Sequence, residues 1–268
     1  VAAIGSFIIA ITAFQSDPFI MVTGALEGAA LAIWPILLVI TAAIFVYNLV
    51  VHTKAMETIK TMLSSVTSDT RVLALLLAWG FGAFMERMAG FGTPKVSGGE
   101  GLVAAMPFIL IFVLLLLTSK LFPAINGPLA SIKTSVPIYQ GPGAKPYTFV
   151  WIATPGIMIF IAGIVGGFIQ KAKAGEIFGT LGSTVKNLKF TYLTIITVVM
   201  TAKLMTYSGM TADIAKAMVA GTGSLYPLFA PIVGALGAFL TGSGTNSNVL
   251  FGPLQIAAAQ GLDPTNFE

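Results

Sequence analysis

A run of small polar residues, 241–248, lies within a stretch that carries no charge from Ala217 to Leu262. Its hydroxyl, amide and backbone N–H groups can donate hydrogen bonds to the carboxylate and hydroxyl of a small organic acid. Polar backbone at membrane depth is tolerated only where protein or a wet cavity satisfies it. The run therefore predicts a binding site at a broken helix or re-entrant tip, with a surface loop between two ordinary helices as the alternative. The predicted substrate ligands in this run are Thr241, Gly242, Ser243, Thr245, Asn246 and Asn248.

Charged residues inside apolar stretches are the second candidates. Glu86 follows a stretch of uncharged residues, 72–85. A carboxylate beside such an apolar stretch marks an ion or proton pathway. We predict that Glu86 carries a coupled proton, with an interfacial position beside Arg87 as the alternative. Lys203 can offer a cation to a substrate carboxylate, or its ammonium can snorkel to the membrane surface. Glu27 is interpreted as a structural acid at the head of a helix, where the macrodipole favours it.

A second small-residue break, residues 88–94, resembles the first in its surroundings. The tripeptide Gly-Ala-Phe stands a few residues before Gly92-Thr93 and again before Gly244-Thr245. Matching interrupted segments in two halves are the sequence pointer to a repeat-built transporter with a site at the bilayer midplane. The predicted symmetric counterparts of the first set are Gly90, Gly92 and Thr93.

Composition indicates an integral membrane protein. Hydrophobic residues make up 56% of the chain and charged residues 9%, against about 25% charged residues in soluble domains. The net charge of +4 is attributed to loop lysines rather than to nucleic-acid binding, because no basic patch interleaved with aromatic residues is present. With no cysteine and one histidine, His52, neither a disulfide nor a metal or other cofactor is expected.

Catalytic and ATP-driven functions are not expected. Ser243 is available as a nucleophile, but no histidine lies near it in the sequence to act as its base. The chain also has no Gly-rich phosphate-binding loop that ends in Lys-Ser or Lys-Thr. The residues therefore predict a transport protein and not an enzyme.

Apolar stretches of membrane-spanning length must position these residues. Charged connections, which separate the stretches, lie at residues 54–71 and 171–189. The fold class predicted is an all-α polytopic membrane protein with broken or re-entrant segments. Helices are predicted over residues 31–51, 102–119, 147–170 and 190–211, with residues 1–16 in a further helix and a Pro- and Gly-rich loop over 122–146.

The two breaks lie in motifs that resemble the bacterial L-lactate permease family. Gly-Ala-Phe-Met-Glu at 82–86, followed by Ala-Gly-Phe-Gly-Thr-Pro at 89–94, is similar to the family's first signature. Residues 239–251 are similar to its second signature, and Tyr207-Ser208-Gly209 also resembles the family. The resemblance implies a multi-pass permease of the bacterial plasma membrane that symports L-lactate, D-lactate or glycolate with a proton. It also implies a distant kinship with inverted-repeat ion transporters.

The chain departs from the family pattern at four places. Arg87 replaces a small residue, Lys95 stands where an apolar helix continues, and Gly244 replaces an Asp of the second signature. Members also carry a long segment where this chain has only residues 95–100. The resemblance thus implies an internally shortened, terminally truncated permease, with an N-terminal membrane segment 1–94 (motif 82–94) and a C-terminal membrane segment 95–268 (motif 237–255). The shortening leaves an alternative open, a channel-like or non-transporting membrane protein.

Overall fold

Helices form nearly all of the structure, a computed structural model that describes residues 2–66, 98–241 and 244–262. Two short strands, β1 (Lys133–Val136) and β2 (Tyr147–Val150), pair as an antiparallel hairpin. The helices are α1 (Ala2–Thr12), α2 (Pro18–Leu31), a π-helical turn (Ala32–Leu37), α3 (Leu38–His52), α4 (Ala55–Val66), α5 (Gly98–Leu117), α6 (Pro123–Ser131), α7 (Pro155–Ile169), α8 (Ala174–Asn187), α9 (Lys189–Tyr207), α10 (Met210–Thr222), a 3-10 turn (Gly223–Leu225), α11 (Tyr226–Thr241) and α12 (Gly244–Leu262).

Four helical segments in the described part of the chain are long and apolar enough to cross a bilayer. Large apolar side chains stay exposed along them, including Phe112 (68% exposed) and Phe190 (71%), as expected where lipid rather than water is the solvent. The predicted class, an all-α polytopic membrane protein, is confirmed. The four segments are Pro18–His52, Gly99–Leu117, Lys189–Tyr207 and Met210–Ala238.

The first of these segments is a broken helix, which the sequence reading missed. Pro35 was expected near the start of a helix over 31–51, but the helix begins at Pro18 and is interrupted at Trp34, whose φ of −134° and ψ of 114° are extended. Proline disfavours helical geometry in the residue before it and supplies no N–H of its own. The hairpin satisfies groups at the break, because the Tyr147 hydroxyl donates to the Trp34 carbonyl and the Trp34 indole donates to the Val150 carbonyl.

The hairpin and its neighbours correct two further sequence expectations. Residues 122–146 were predicted as a loop, but they contain α6 and β1. Residues 147–170 were predicted as one spanning helix, but they begin with β2, and α7 has only 15 residues. A helix needs about 20 residues to cross the hydrocarbon core. The β-branched and aromatic residues of Tyr147–Val150 suit a strand, and Pro155 at the first turn of α7 suits a helix start.

The chain reverses direction between α11 and α12. Ser247 donates from Oγ to the Gly234 carbonyl at 3.2 Å, and Gln255 donates from Nε2 to the Ala230 carbonyl at 2.9 Å. Later residues of α12 therefore contact earlier residues of α11, which makes the pair an antiparallel helical hairpin. The first helix ends at Thr241 and the second begins at Gly244, so two helix ends lie in the 241–248 run, and residues 242–243 lie outside the described part of the chain.

The chain forms two compact units, each of which draws on separate parts of the sequence. One unit contains residues 1–38, 133–151 and 188–268, and the other contains 39–132 and 152–187. In the second unit, α7 presents glycines to its neighbours, and Gly166 lies against the Pro107 ring of α5. The predicted division of the chain at residue 94 lies in residues outside the described part and stays a prediction.

Candidate functional site

A buried ion pair joins two of the spanning segments. The Lys203 ammonium on α9 lies 2.8 Å from Oε1 of Glu27 on α2. The Tyr207 hydroxyl donates to the same carboxylate oxygen at 2.6 Å and accepts a hydrogen bond from Lys203 at 3.1 Å. The Glu27 side chain is 8% exposed and that of Lys203 26% exposed. Carboxylate, ammonium and phenol therefore form one closed cluster, hereafter the charge cluster.

Helix geometry and a close helix crossing bring the charge cluster together. Lys203 and Tyr207 are four residues apart on α9, so their side chains lie on the same face. Gly28 lets the two backbones approach, because a Cβ at this position would lie 2.8 Å from Cα of Met200. The interpretation of Glu27 as an acid at a helix head is wrong. Since α2 begins at Pro18, Glu27 lies in its C-terminal half, where its partner is Lys203 and not the helix dipole.

The loop of the β-hairpin covers the phenol of the charge cluster. Tyr139 is 4% exposed, and its ring stacks on that of Tyr207 with centroids 3.7 Å apart and planes 6° apart. The Gln140 N–H donates to the Thr23 hydroxyl of α2 at 3.3 Å, which fixes the loop to the helix that carries Glu27. Burial and, to a smaller extent, the Glu27 carboxylate raise the pKa of Tyr139, so its phenol stays neutral at physiological pH.

A cavity of about 290 Å³ opens on Lys203. This volume is near the lower end of the range for drug-sized ligands, so it accommodates an acid of two or three carbons. Lys203 and Asn248 supply its cationic and amide groups, and Thr206 adds a hydroxyl-bearing residue. The lining residues are Leu31, Ala202, Lys203, Thr206, Asn248, Val249 and Pro253.

The structure brings two of the sequence-predicted ligands together. Lys203 and Asn248 line the same cavity, although 45 positions in the sequence separate them. Thr241 ends α11, while Thr245 and Asn246 lie in the first turn of α12. The remaining predicted residues fall outside the part of the chain that the structure describes: Glu86, Gly90, Gly92, Thr93, Gly242 and Ser243.

Sequence reasoning missed Glu27, Tyr207 and Tyr139. The sequence did contain a signal for the ion pair. Apart from His52, Glu27 is the only carboxylate or cation in residues 18–53, and Lys203 is the only one in residues 190–212. Lone charges of opposite sign in two apolar stretches are costly unless they pair with one another. No local pattern indicates Tyr139, which reaches the charge cluster through the hairpin loop.

A family model described as L-lactate permease matches residues 1–96 and 95–266 of the chain. The chain belongs to the L-lactate permease family. The two matched segments meet at residues 95–96, where the sequence predicted an internal shortening. Membership in this family indicates a transporter rather than an enzyme.

Individual permeases support the assignment. The L-lactate permease of Streptococcus iniae is 30% identical over 384 residues, covering 90% of this chain and 81% of that protein. Because 384 exceeds the 268 residues of this chain, the relative has residues inside the matched region that have no counterpart here. No solved structure matches the chain.

Other permeases match over shorter ranges. The glycolate permease GlcA of Escherichia coli K12 is 32% identical over 212 residues, covering 71% of this chain. The L-lactate permease of Salmonella typhi is 40% identical over 117 residues, covering 44% of this chain. The chain spans 38% of the glycolate permease and 21% of the Salmonella permease.

Proposed function

We propose that this permease carries L-lactate, or a similar short 2-hydroxy monocarboxylate such as D-lactate or glycolate, across the bacterial plasma membrane together with a proton. The observation that carries the proposal is the cavity that Lys203 and Asn248 share, since it places a cation beside a residue of the second small-residue break. The names of the relatives, L-lactate permease and glycolate permease, supply the substrate class.

The chemistry of the cavity suits a small hydroxy acid. An ammonium group has three N–H donors, and Lys203 directs two of them at Glu27 and Tyr207, so one donor is left for a substrate carboxylate. The Asn248 amide can bond a substrate hydroxyl or the second carboxylate oxygen. The Thr206 hydroxyl donates to the Ala202 carbonyl, so it can accept a hydrogen bond from a substrate hydroxyl. Leu31, Val249 and Pro253 offer apolar contact to the short carbon chain.

The other predicted ligands complete the proposed site. Glycines and hydroxyls of the two breaks would bind the substrate from positions next to Asn248 and from the opposite half, and Glu86 stays the proton carrier that the sequence predicts. These ligands are Thr241, Gly242, Ser243, Thr245 and Asn246 from one break and Gly90, Gly92 and Thr93 from the other. The inverted-repeat relation between the two breaks is part of this proposal.

Uptake of labelled L-lactate into proteoliposomes that contain this 268-residue chain tests the proposal. We expect saturable uptake that an inward proton gradient accelerates and that excess D-lactate or glycolate inhibits. Lys203→Ala should abolish it, whereas Lys216→Ala, which removes an exposed lysine of α10, should not. Saturable uptake that does not respond to the gradient would refute proton symport.

The internal shortening favours a second candidate, a channel-like or non-transporting membrane protein. The chain lacks residues that lie within the matched region of the Streptococcus iniae permease, so a part of the transport pathway can be missing. The same vesicles separate the cases. A flux that rises linearly with concentration indicates a channel, and no flux from this chain beside an active full-length relative indicates a non-transporting protein.

A further inference from the structure

The charge cluster differs from an exposed ion pair on α10. Lys216 and Asp213 pair at 3.3 Å on the surface of α10, with side chains 78% and 61% exposed. Glu27 is buried and Lys203 is partly buried between α2 and α9, so the Glu27 carboxylate depends on Lys203 for neutralisation. A surface pair gains little from its contact, whereas a buried pair cannot lose one partner without a replacement.

We propose that Glu27 and the substrate carboxylate are alternative counter-ions of Lys203, so that one proton binds to Glu27 for each monocarboxylate that enters the cavity. This proposal rests on the proposed function, because it requires a monocarboxylate substrate. It departs from the sequence prediction by placing the coupled proton on Glu27 rather than on Glu86, and it sets a ratio of one proton to one substrate.

Charge balance within the buried site leads to this ratio. In the empty site the Glu27 carboxylate neutralises the Lys203 ammonium. A monocarboxylate that binds Lys203 while Glu27 stays ionised would bury one cation with two anions, which is costly in a low-dielectric environment. If Glu27 takes up a proton from the solution as the substrate binds, the site again holds one cation and one anion. The proton leaves Glu27 when the substrate leaves and the original pair re-forms.

Tyr207 keeps the ammonium in place during this exchange. Its hydroxyl accepts a hydrogen bond from Lys203 and donates one to Glu27, so Lys203 retains an anchor on its own helix when Glu27 is neutral. The Lys203 ammonium also lies 5.1 Å from the centroid of the Tyr207 ring, within the range of a cation–π contact. Tyr207 is therefore a positioning residue.

The surroundings of Glu27 contain no further carboxylate among the described residues to take over its role. The titratable groups near it are Lys203 and Tyr207 on α9, Tyr139 in the hairpin loop, and Tyr147 on β2, which interacts electrostatically with Glu27 and Lys203. The neighbouring helix α1 carries no titratable side chain, and α12 contributes amides such as Asn248.

Binding of labelled L-lactate to the purified chain as a function of pH tests the proposal. Because lactate binding by the wild type requires a proton on Glu27, we expect the affinity to fall as the pH rises. The fall should be at most about tenfold per pH unit, which is the limit for one linked proton. In Glu27→Gln the amide is neutral at every pH, so Lys203 is always available and the affinity should be independent of pH. Asp213→Asn removes the carboxylate of the exposed pair and should retain the wild-type pH dependence.

Several results would overturn the proposal. If Glu27→Gln retains the wild-type pH dependence, the linked proton binds elsewhere. If Glu86→Gln loses the pH dependence while Glu27→Gln retains it, the proton binds to Glu86. A folded Glu27→Gln chain without lactate binding would make Glu27 a purely structural partner of Lys203. If Glu27→Gln does not fold, proton uptake per lactate bound by the wild-type chain decides, since a ratio other than one contradicts the charge balance.

Failure of the proposed function has a different signature. Absence of lactate, D-lactate and glycolate binding by the wild-type chain at every pH would refute the substrate class itself. Wild-type binding with an unchanged Glu27→Gln profile would refute only the role of Glu27.

Discussion

At the scale of single residues, Lys203 links the two parts of the site. Its ammonium pairs with Glu27, and Lys203 and Asn248 both line the cavity. The sequence was sufficient to single out Lys203 and Asn248, because an isolated cation and a polar break in apolar stretches are rare and costly. It was not sufficient to choose between snorkelling and pairing, since that depends on whether an acid on another helix lies within reach.

Removal of the cation should destabilise the protein through the carboxylate that it leaves behind. We expect Lys203→Met to lower the free energy of unfolding by about 3 kcal/mol, the lower end of the cost of breaking a buried pair, because Lys203 is partly exposed. The double variant Glu27→Gln with Lys203→Met should recover most of this loss but should not transport. Thermal unfolding of the wild type, of Lys203→Met, of Glu27→Gln and of the double variant gives the coupling energy between the two residues. Additive losses would contradict a paired role.

At the scale of secondary-structure elements, close packing of α2 on α9 determines whether the charge cluster can form. The apolar stretch over residues 190–211 predicted α9, whereas α2 was missed, because the helix was expected to begin at residue 31. The break at Trp34 was not predictable from its neighbourhood alone, because the groups that satisfy it belong to β2, more than a hundred residues later. Likewise, nothing near Tyr139 in the sequence indicates that its ring stacks on Tyr207.

Substitution of Gly28 should separate these two helices. In Gly28→Ala the new Cβ would lie 2.8 Å from Cα of Met200 and 3.0 Å from the Val199 carbonyl oxygen, and backbone atoms cannot rotate away. We expect a loss of about 1–3 kcal/mol in stability from overpacking and a loss of uptake of about tenfold or more, because the Glu27–Lys203 distance increases. Gly5→Ala in α1, where no atom lies within 4 Å of the added Cβ, is the matched control. Equal uptake by the two variants would show that the close approach at Gly28 is not required for uptake.

At the scale of the whole molecule, composition was enough to predict a helical membrane protein, and the two signature motifs were enough to predict its family. The boundaries of the spans were less predictable, since a β-strand and a 15-residue helix occupy the stretch 147–170, which was predicted as one spanning helix. The two compact units each join distant parts of the sequence, and such pairing depends on packing that no local pattern reveals.

If a monocarboxylate and a proton bind the charge cluster together, its net charge does not change, and transport by the whole protein should be electroneutral. If one monocarboxylate and one proton cross together, lactate accumulation driven by a proton gradient should not respond to a membrane potential imposed with potassium and valinomycin. A carrier that moved one net charge would change its accumulation ratio by about fifty-fold per 100 mV. Proteoliposome uptake at several imposed potentials distinguishes the two, and a response of the larger size would contradict a ratio of one to one.

The contact between the hairpin and the break at Trp34 also makes the protein its own optical probe. The indole rings of Trp34 and Trp151 lie 5.1 Å apart, one in the broken helix and one just after β2. Trp79 is the only other tryptophan in the sequence. Two indoles at this distance couple their electronic transitions, so the tryptophan fluorescence and the exciton-coupled tryptophan signal in circular dichroism of a Trp79→Phe chain would originate in this pair. The protein therefore carries a native chromophore that reports whether the hairpin stays in place when lactate is added.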